Sequence, residues 1–448
     1  MINNKNVPIR ESQELRRAIG LPQATAMVVG TIIGASIFVQ PSEITGQVFS
    51  VKGVFLVWLV SGLLTFFGAL VCAELASIFT QSGGVYVYLK EAYSPSIGFL
   101  WGWAMFWIAH SGIIAAIAVI FSRYVSYFLP MSAAMVKILS IAAILILSAI
   151  NYRGVKQGSS FQTLMTLGKV VAIVFIIIAG VVLGSRLPEH FVNTDTGNHV
   201  ISLNSFFLAV AAGLFAFGGW HMVTYNSEET INPRKTIPRA LMIGTIIVTL
   251  CYMGLNAVYM YVLPLESVAS STRIAADAAD ALLGFGGGAL MSGLVIFSTF
   301  GALSGIILCG PRVYFSMARD GLLFRWVGDI HPRYGTPHKA IVLQGIWSSV
   351  LVATGTYKAL FTRVVYTEWI FFGLMAIGLF LFRRRPGIVR GYRIWGYPVV
   401  PALFILSSFA IVVNQIVSDP GESLFGLSLV LVGLPIYYLW SKRMRRGA

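Results

Sequence analysis

Charge is scarce in this sequence. Only 11% of its residues are Asp, Glu, Lys or Arg, where a soluble domain carries about a quarter. That scarcity excludes a chain that folds in water along its whole length. Cysteine is scarcer still: Cys72, Cys251 and Cys309 are the only three, all inside apolar runs, so no disulfide framework is expected. No Gly-rich phosphate loop of the Walker type is present, which excludes an ATP engine of that kind. No His, Cys or carboxylate residues recur at metal-ligand spacing, and no catalytic constellation is visible. The expectation is a protein without metal or cofactor that is not an enzyme. No polar segment is long enough to fold separately.

Apolar runs are what the chain has in abundance. Hydrophobic residues make up 57%, the mean hydropathy is +0.79, and stretches of about 20 apolar residues, the length that crosses a bilayer, recur throughout. The expected fold class is an all-α polytopic membrane protein. Twelve spans are predicted, near 23–47, 53–80, 96–128, 134–150, 160–184, 203–228, 239–263, 286–316, 339–356, 361–382, 399–417 and 424–440. Met1 to Gln23 is polar and basic and leads into a full span, so no cleavable signal peptide is expected.

The net charge of +15 reads as an orientation signal rather than a nucleic-acid footprint. With the N-terminus in the cytoplasm, the inner side receives Arg10, Arg16, Arg17, Lys90, Arg153, Lys156, Arg234, Lys235 and Arg239, then Arg319, Arg325, Arg333 and Lys339. The cluster Arg383 to Arg393 and the tail Lys442 to Arg446 follow on the same side. The outer side receives only Lys52, Arg123, Lys137, Arg186, Arg273, Lys358 and Arg363. The positive-inside rule then places both termini in the cytoplasm, in a plasma or inner membrane. The partners expected are a small-molecule substrate and the lipid bilayer, with no nucleic acid.

Two spans carry Gly-rich interruptions, Gly30-Thr31-Ile32-Ile33-Gly34-Ala35-Ser36-Ile37-Phe38 and Gly213-Leu214-Phe215-Ala216-Phe217-Gly218-Gly219-Trp220. An opened helix in the membrane exposes amides and carbonyls at a cost of several kcal/mol each, tolerable where they face a ligand. Amides at a half-helix N-terminus suit a carboxylate, and carbonyls at a half-helix C-terminus suit an ammonium. Paired interruptions in the two parts of a polytopic chain point to a transporter's substrate site. The competing reading is a small-residue packing face at Gly30 and Gly34.

Several ionisable or polar residues fall inside spans. Lys169 lies among Leu167, Val170 and Val171, where an ammonium needs a partner or must snorkel to the interface. His221 directly follows the second break and His110 lies in the third span. Each is a candidate site residue or a satisfied core histidine. Glu368 is a proton carrier, a partner for a basic substrate group, or an interface anchor beside Arg363, and the anchor is favoured. Ser304 is a candidate supporting contact. Glu74, Glu228 and Glu229 lie near basic loops and read as inter-helix gate pairs. Residues 264–284 are expected to form a small outer helical loop.

Taken together these pieces resemble the amino acid–polyamine–organocation (APC) superfamily, in particular its L-type amino acid transporter branch and bacterial relatives. Gly30 to Phe38 resembles that branch's first helix. Phe215 to Trp220, with Glu228-Glu229 and Asn232-Pro233, resembles its sixth. Further matches are Ala73-Glu74-Leu75 with Ser82-Gly83-Gly84-Val85-Tyr86, Gly168-Lys169, Phe300-Gly301 through Ser304-Gly305, Pro311-Arg312, Ala318-Arg319-Asp320-Gly321, and His331-Pro332 through Thr336-Pro337.

The resemblance implies a leucine-transporter-type fold with a 5+5 inverted repeat and broken helices 1 and 6. Residues 1–448 would form one transporter domain: a cytoplasmic segment 1–22, repeats 23–184 and 203–382, two further helices over 399–440, and a tail 441–448. It implies that the backbone at Gly34, Ala35 and Ser36 holds a substrate carboxylate. The carbonyls of Ile32, Phe215, Ala216 and Gly218 would hold the ammonium, Phe215 would gate the outer side, and His221 would shape selectivity. Many family members have Gly-Ser-Gly where this chain has Gly34-Ala35-Ser36, and the bulk of Ser36 favours a small substrate. Lys169 would stand where other members hold sodium. The function implied is sodium-independent exchange of L-amino acids, small and neutral. A proton-coupled amino acid, amine or polyamine importer is the alternative. The loop around Pro130 to Ser132 lacks the cysteine through which animal L-type transporters join a heavy chain, so no such subunit is expected.

Overall fold

The computed structural model describes residue 15 and residues 17–34, 36–183, 201–284, 286–354 and 357–446. Ala35 falls outside them. Side chains at 155–158, 357–366, 422 and 442–446 are likewise outside the description. Among the described residues every regular element is a helix, apart from one isolated bridge between Ile19 and Thr230.

In chain order the helices are α1 (Leu21–Ile32), α2 (Gln40–Val48), α3 (Val51–Ile78), α4 (Val85–Ala92), α5 (Pro95–Ala104), α6 (His110–Val125), α7 (Ala133–Tyr152), α8 (Val155–Leu183) and α9 (Leu203–Ala216). Then follow α10 (Pro233–Val262), α11 (Leu265–Ser270), α12 (Ile274–Leu283), α13 (Gly287–Cys309), α14 (Pro311–Arg319), α15 (His338–Thr354), α16 (Tyr357–Arg384), α17 (Val399–Ser418) and α18 (Pro420–Arg446). Among the described residues ten segments, some joining two helices across a break, are long and apolar enough to cross a membrane. Helices α15 and α16 lie where the two other spans are expected, so the count of twelve goes beyond those ten.

Local chemistry sets the joints. Prolines stand at the N-terminal turns of α5, α10 and α14, where the missing N–H costs nothing. Ser50, Ser132 and Ser202 cap α3, α7 and α9 by accepting backbone N–H groups, each typically worth about 1 kcal/mol. The third expected span, 96–128, is α5 and α6 joined by a π-helical turn at Met105–Ala109, a local widening often found at functional sites. The expected loop over 264–284 is helical, as α11 and α12.

Packing divides the helices into two groups. Helices α1 and α3 each pack against α10, all three touch the segment after the second break, and α9 packs against α3. Helices α6, α7, α13 and α15 form the facing group, and α8 touches α1, α10 and α13. Outward faces are apolar: Leu56, Leu59 and Leu63 on α3, Leu164, Leu167 and Val171 on α8, and Leu406, Val413 and Val417 on α17 are exposed. Such faces are stable against lipid and not against water. The three cysteines are buried and unpaired.

At one end of the bundle, ion pairs join elements far apart in sequence. Arg312 grips Glu229 with two hydrogen bonds at 3.2 and 3.1 Å, and both side chains are fully buried. Arg383 grips Glu74 at 2.9 and 2.6 Å. Arg319 meets Glu228 at 3.1 Å, and Asp320 accepts from Lys90 at 2.8 Å and Tyr86 at 2.6 Å. The strap at residues 18–19 is bonded to the carbonyl of Glu229. Removing one partner from a buried pair strands the other charge, at about 3–5 kcal/mol. Arg312→Met is therefore expected to lower the thermal unfolding midpoint markedly, and Arg312→Met with Glu229→Gln to recover part of the loss. A single variant as stable as the parent would show that the pair carries no such burden.

Candidate functional site

Both sequence interruptions are breaks in the backbone. Helix α1 stops at Ile32, Ile33 leaves the helical region at ψ 83°, and the chain resumes as a 3-10 turn at Ser36–Phe38 before α2. Helix α9 stops at Ala216, and a 3-10 segment, Trp220–Glu229, continues beyond Gly219. Gly219 sits at φ 94°, where a side chain is strained, and a Cβ there would lie 3.2 Å from the carbonyl of Thr31. The hydroxyl of Thr31 lies 3.2 Å from Gly219 O, an acceptor that competes with Met27 O at 2.7 Å and Val28 O at 3.1 Å in its own helix. The two breaks are thus in contact, and only glycine fits between them.

The opened carbonyls are met by donors from other helices. Lys169 on α8 is 2% exposed although Leu167 and Val171 beside it face outward. Its ammonium lies 3.0 Å from Gly30 O and 2.7 Å from Ile33 O. Snorkelling does not describe it. Tyr252 on α10 places its hydroxyl 3.0 Å from Ile32 O and 2.9 Å from Ala216 O, one carbonyl from each break. A single hydroxyl proton serves one acceptor at a time, so Tyr252 can pass between the two breaks. The amide of Gly34 turns back on Ile32 O at 2.7 Å, and that of Gly218 on Phe215 O at 2.9 Å. A carboxylate taking the Gly34 amide would have to release that turn.

A cavity of about 20 Å³, the space of one water, lies beside the breaks and is lined by Thr31, Ile32, Gly34, Ser36, Phe215 and Gly218 of the broken segments. Ile113 and Ile117 of α6, Ile306 of α13, and Glu368 and Trp369 of α16 complete its wall. Five of the expected backbone contributors, Ile32, Gly34, Ser36, Phe215 and Gly218, line it. Ala216 contributes only its carbonyl to Tyr252, and Ala35 lies outside the described residues. Ser304 stands apart from the cavity, its hydroxyl and carbonyl both 3.4 Å from the Asn151 amide.

Glu368 requires a correction. The anchor reading beside Arg363 fails because Glu368 is buried and on the cavity wall, while the Arg363 side chain lies outside the described residues. His221 sits behind the wall in an aromatic cage of Trp101, Trp220, Tyr225 and Phe372, with no hydrogen-bond partner on either ring nitrogen. His110 is bonded to Tyr314 and Tyr225, at 3.2 and 3.4 Å. Sequence reasoning missed Tyr252, Tyr225 and Tyr314, because nothing in their flanks separates them from the many core aromatics.

Two broken helices meeting at a small central cavity between two helix groups define a membrane transporter rather than an enzyme or a channel. A family model described as amino acid permease matches residues 19–436, and the chain belongs to that family. Its polytopic, nearly all-helical architecture is that of the leucine-transporter-type fold. Among its relatives, the serine/threonine exchanger SteT of Bacillus subtilis is 33% identical, over 97% of this chain and 99% of the relative. The b(0,+)-type amino acid transporter 1 of Homo sapiens is 33% identical, over 96% and 89%. The Asc-type amino acid transporter 1 of Mus musculus is 30% identical, over 96% and 82%.

Two variants probe the contact between the breaks. Gly219→Ala forces a left-handed Cβ against Thr31 and is expected to cost about 1–2 kcal/mol, read as a lower thermal midpoint. Tyr252→Phe removes only the shared hydroxyl. Transport is expected to fall at least tenfold while the protein stays folded; wild-type rates in Tyr252→Phe would show that the bridge is incidental.

Proposed function

We propose that this chain is a secondary transporter that exchanges small, neutral L-amino acids across the membrane by alternating access, without sodium. Family membership and relatives named as an amino acid exchanger and amino acid transporters support the transport class. The observation that carries the sodium-independent reading is the Lys169 ammonium on the carbonyls of Gly30 and Ile33. A fixed cation there does what a bound sodium ion would do for an opened helix, and it needs no ion gradient.

In this reading the backbone at Gly34, Ala35 and Ser36 takes the substrate carboxylate. The carbonyls of Ile32, Phe215, Ala216 and Gly218 take the ammonium, with Phe215 closing over them. The restricted cavity and the side chain of Ser36 favour a small substrate, and the wall must move outward to admit even that. Residues 23–184 and 203–382 act as the two repeats, with helices over 399–440 outside them. The termini, 1–22 and 441–448, lie on the side rich in Lys and Arg, the cytoplasmic side of a plasma or inner membrane. The ion pairs of Glu229, Glu74, Glu228 and Asp320 form the inner gate, closed in this conformation. No heavy-chain subunit is required, given the cysteine-free loop after the third span.

One observation favours a second reading, proton-coupled import of an amino acid or amine. Glu368 lines the cavity and its Oε1 has no hydrogen-bond partner, so the carboxyl group is placed to carry a proton with the substrate.

Binding stabilises by mass action, about 2.7 kcal/mol at a hundred times Kd. Small neutral L-amino acids are therefore expected to raise the thermal midpoint of the purified protein by several degrees, with D-isomers and sodium chloride without effect. Silence across all L-amino acids would overturn the proposal. Stabilisation by amines alone, with uptake abolished by a protonophore, would establish the second reading instead.

A further inference from the structure

Three ionisable residues far apart in the sequence converge in the core behind the cavity. His110 begins α6 directly after the π-helical turn, His221 lies just past the second break, and Glu368 stands on α16. One ligand atom from each lies within 4.8 Å of the other two, and all three residues are buried. Both ring nitrogens of His221 and Oε1 of Glu368 have no hydrogen-bond partner, so the groups are close without bonding to each other. Buried lone pairs left without a donor or cation are costly. Three such groups from separate elements stand at a spacing that one ion could bridge after small side-chain shifts.

We propose that His110, His221 and Glu368 form a binding site for a divalent transition-metal ion of the zinc class, which ties α6, the segment after the second break and α16 together. The donor set supports this choice. Two imidazoles and one carboxylate suit Zn²⁺, Co²⁺, Ni²⁺ or Cu²⁺, whereas Mg²⁺ and Ca²⁺ take oxygen shells. Ligands about 2.0–2.2 Å from zinc stand roughly 3.3 Å apart in a tetrahedral shell. Closing the triad from its present spacing thus needs side-chain shifts on the order of an ångström.

The surroundings fit a metal site as well. Tyr314 and Tyr225 hold the two ring nitrogens of His110, at 3.2 and 3.4 Å. One of these hydroxyls would orient the ring while the other nitrogen turns to the ion, the outer-shell contact usual for metal-bound histidine. Trp101, Trp220 and Phe372 pack around His221 and keep water out. Of the three, only Glu368 also lines the cavity, so the ion would lie next to it. An ion there also offsets the charge of a carboxylate buried without a partner. The sequence carries no metal-ligand spacing because the ligands come from three separate elements.

A metal bridge between the broken segment and both flanking helices holds the core closed, so occupancy is expected to inhibit transport. Binding itself can be tested whatever the substrate proves to be. Tag-free wild-type protein in lipid nanodiscs is titrated with Co²⁺ alone. One equivalent per chain is expected to give the visible absorption of low-coordinate, nitrogen-ligated cobalt, displaced by Zn²⁺ but not by Mg²⁺. His221→Asn and Glu368→Gln should each abolish that signal. The double variant His331→Asn with His338→Asn should keep it; these two rings, 5.1 Å apart, are a second histidine pair among the described residues. No cobalt signal in the wild type, or a signal that survives in either triad variant, overturns the proposal. Should the triad variants not fold, X-ray absorption of zinc-loaded protein carrying His331→Asn with His338→Asn decides: a shell with two imidazoles supports the site, and a shell without them refutes it.

Discussion

The structure depends on backbone carbonyls that no helix satisfies. Ending α1 at Ile32 and α9 at Ala216 leaves polar groups open in the core of a membrane-spanning bundle, where each costs several kcal/mol if unmet. The chain meets that cost with side chains of its own: Lys169 on Gly30 and Ile33, Tyr252 on Ile32 and Ala216, and Thr31 on Gly219. These donors come from α8 and α10 and from α1 itself. The breaks are therefore stable only when the helices around them are assembled. Local opening and global packing are one constraint, not two.

The same constraint is what the proposed substrate role of the breaks relies on. Hydrogen bonds to the opened carbonyls are exchangeable: a hydroxyl shared between two acceptors, or an amide turned back on a neighbouring carbonyl, can be released to a ligand at small net cost. The ionic layer at Glu229, Arg312, Glu74 and Arg383 works differently. Those pairs are buried or nearly so, and they link segments that must separate if that end of the bundle is to open. The cavity and the layer thus divide the work, with weak, exchangeable bonds at the centre and strong, all-or-none pairs at the end.

Much of this was legible in the sequence. Hydropathy marked the spans, and glycine clusters inside two of them, one in each part of the chain, located the breaks, because a packing face alone does not call for the pairing. Lys169 stood out because an ammonium in an apolar run demands a partner. What the sequence could not supply was register around each helix axis. Glu368 read as an interface anchor because Arg363 lies nearby in sequence, yet a rotation about α16 turns it to the cavity. Tyr252, Tyr225 and Tyr314 were hidden among 18 tyrosines, since a hydroxyl's role depends on which carbonyl or ring it reaches. The convergence of His110, His221 and Glu368 is a tertiary fact with no local signature.

The central claim is that a fixed ammonium, not a bound sodium ion, keeps the first break open. Counterflow in proteoliposomes tests it directly: labelled L-serine enters vesicles preloaded with unlabelled L-serine, in choline buffer and in sodium buffer. The account predicts equal, trans-stimulated rates in the two buffers. Uptake that requires sodium would contradict it.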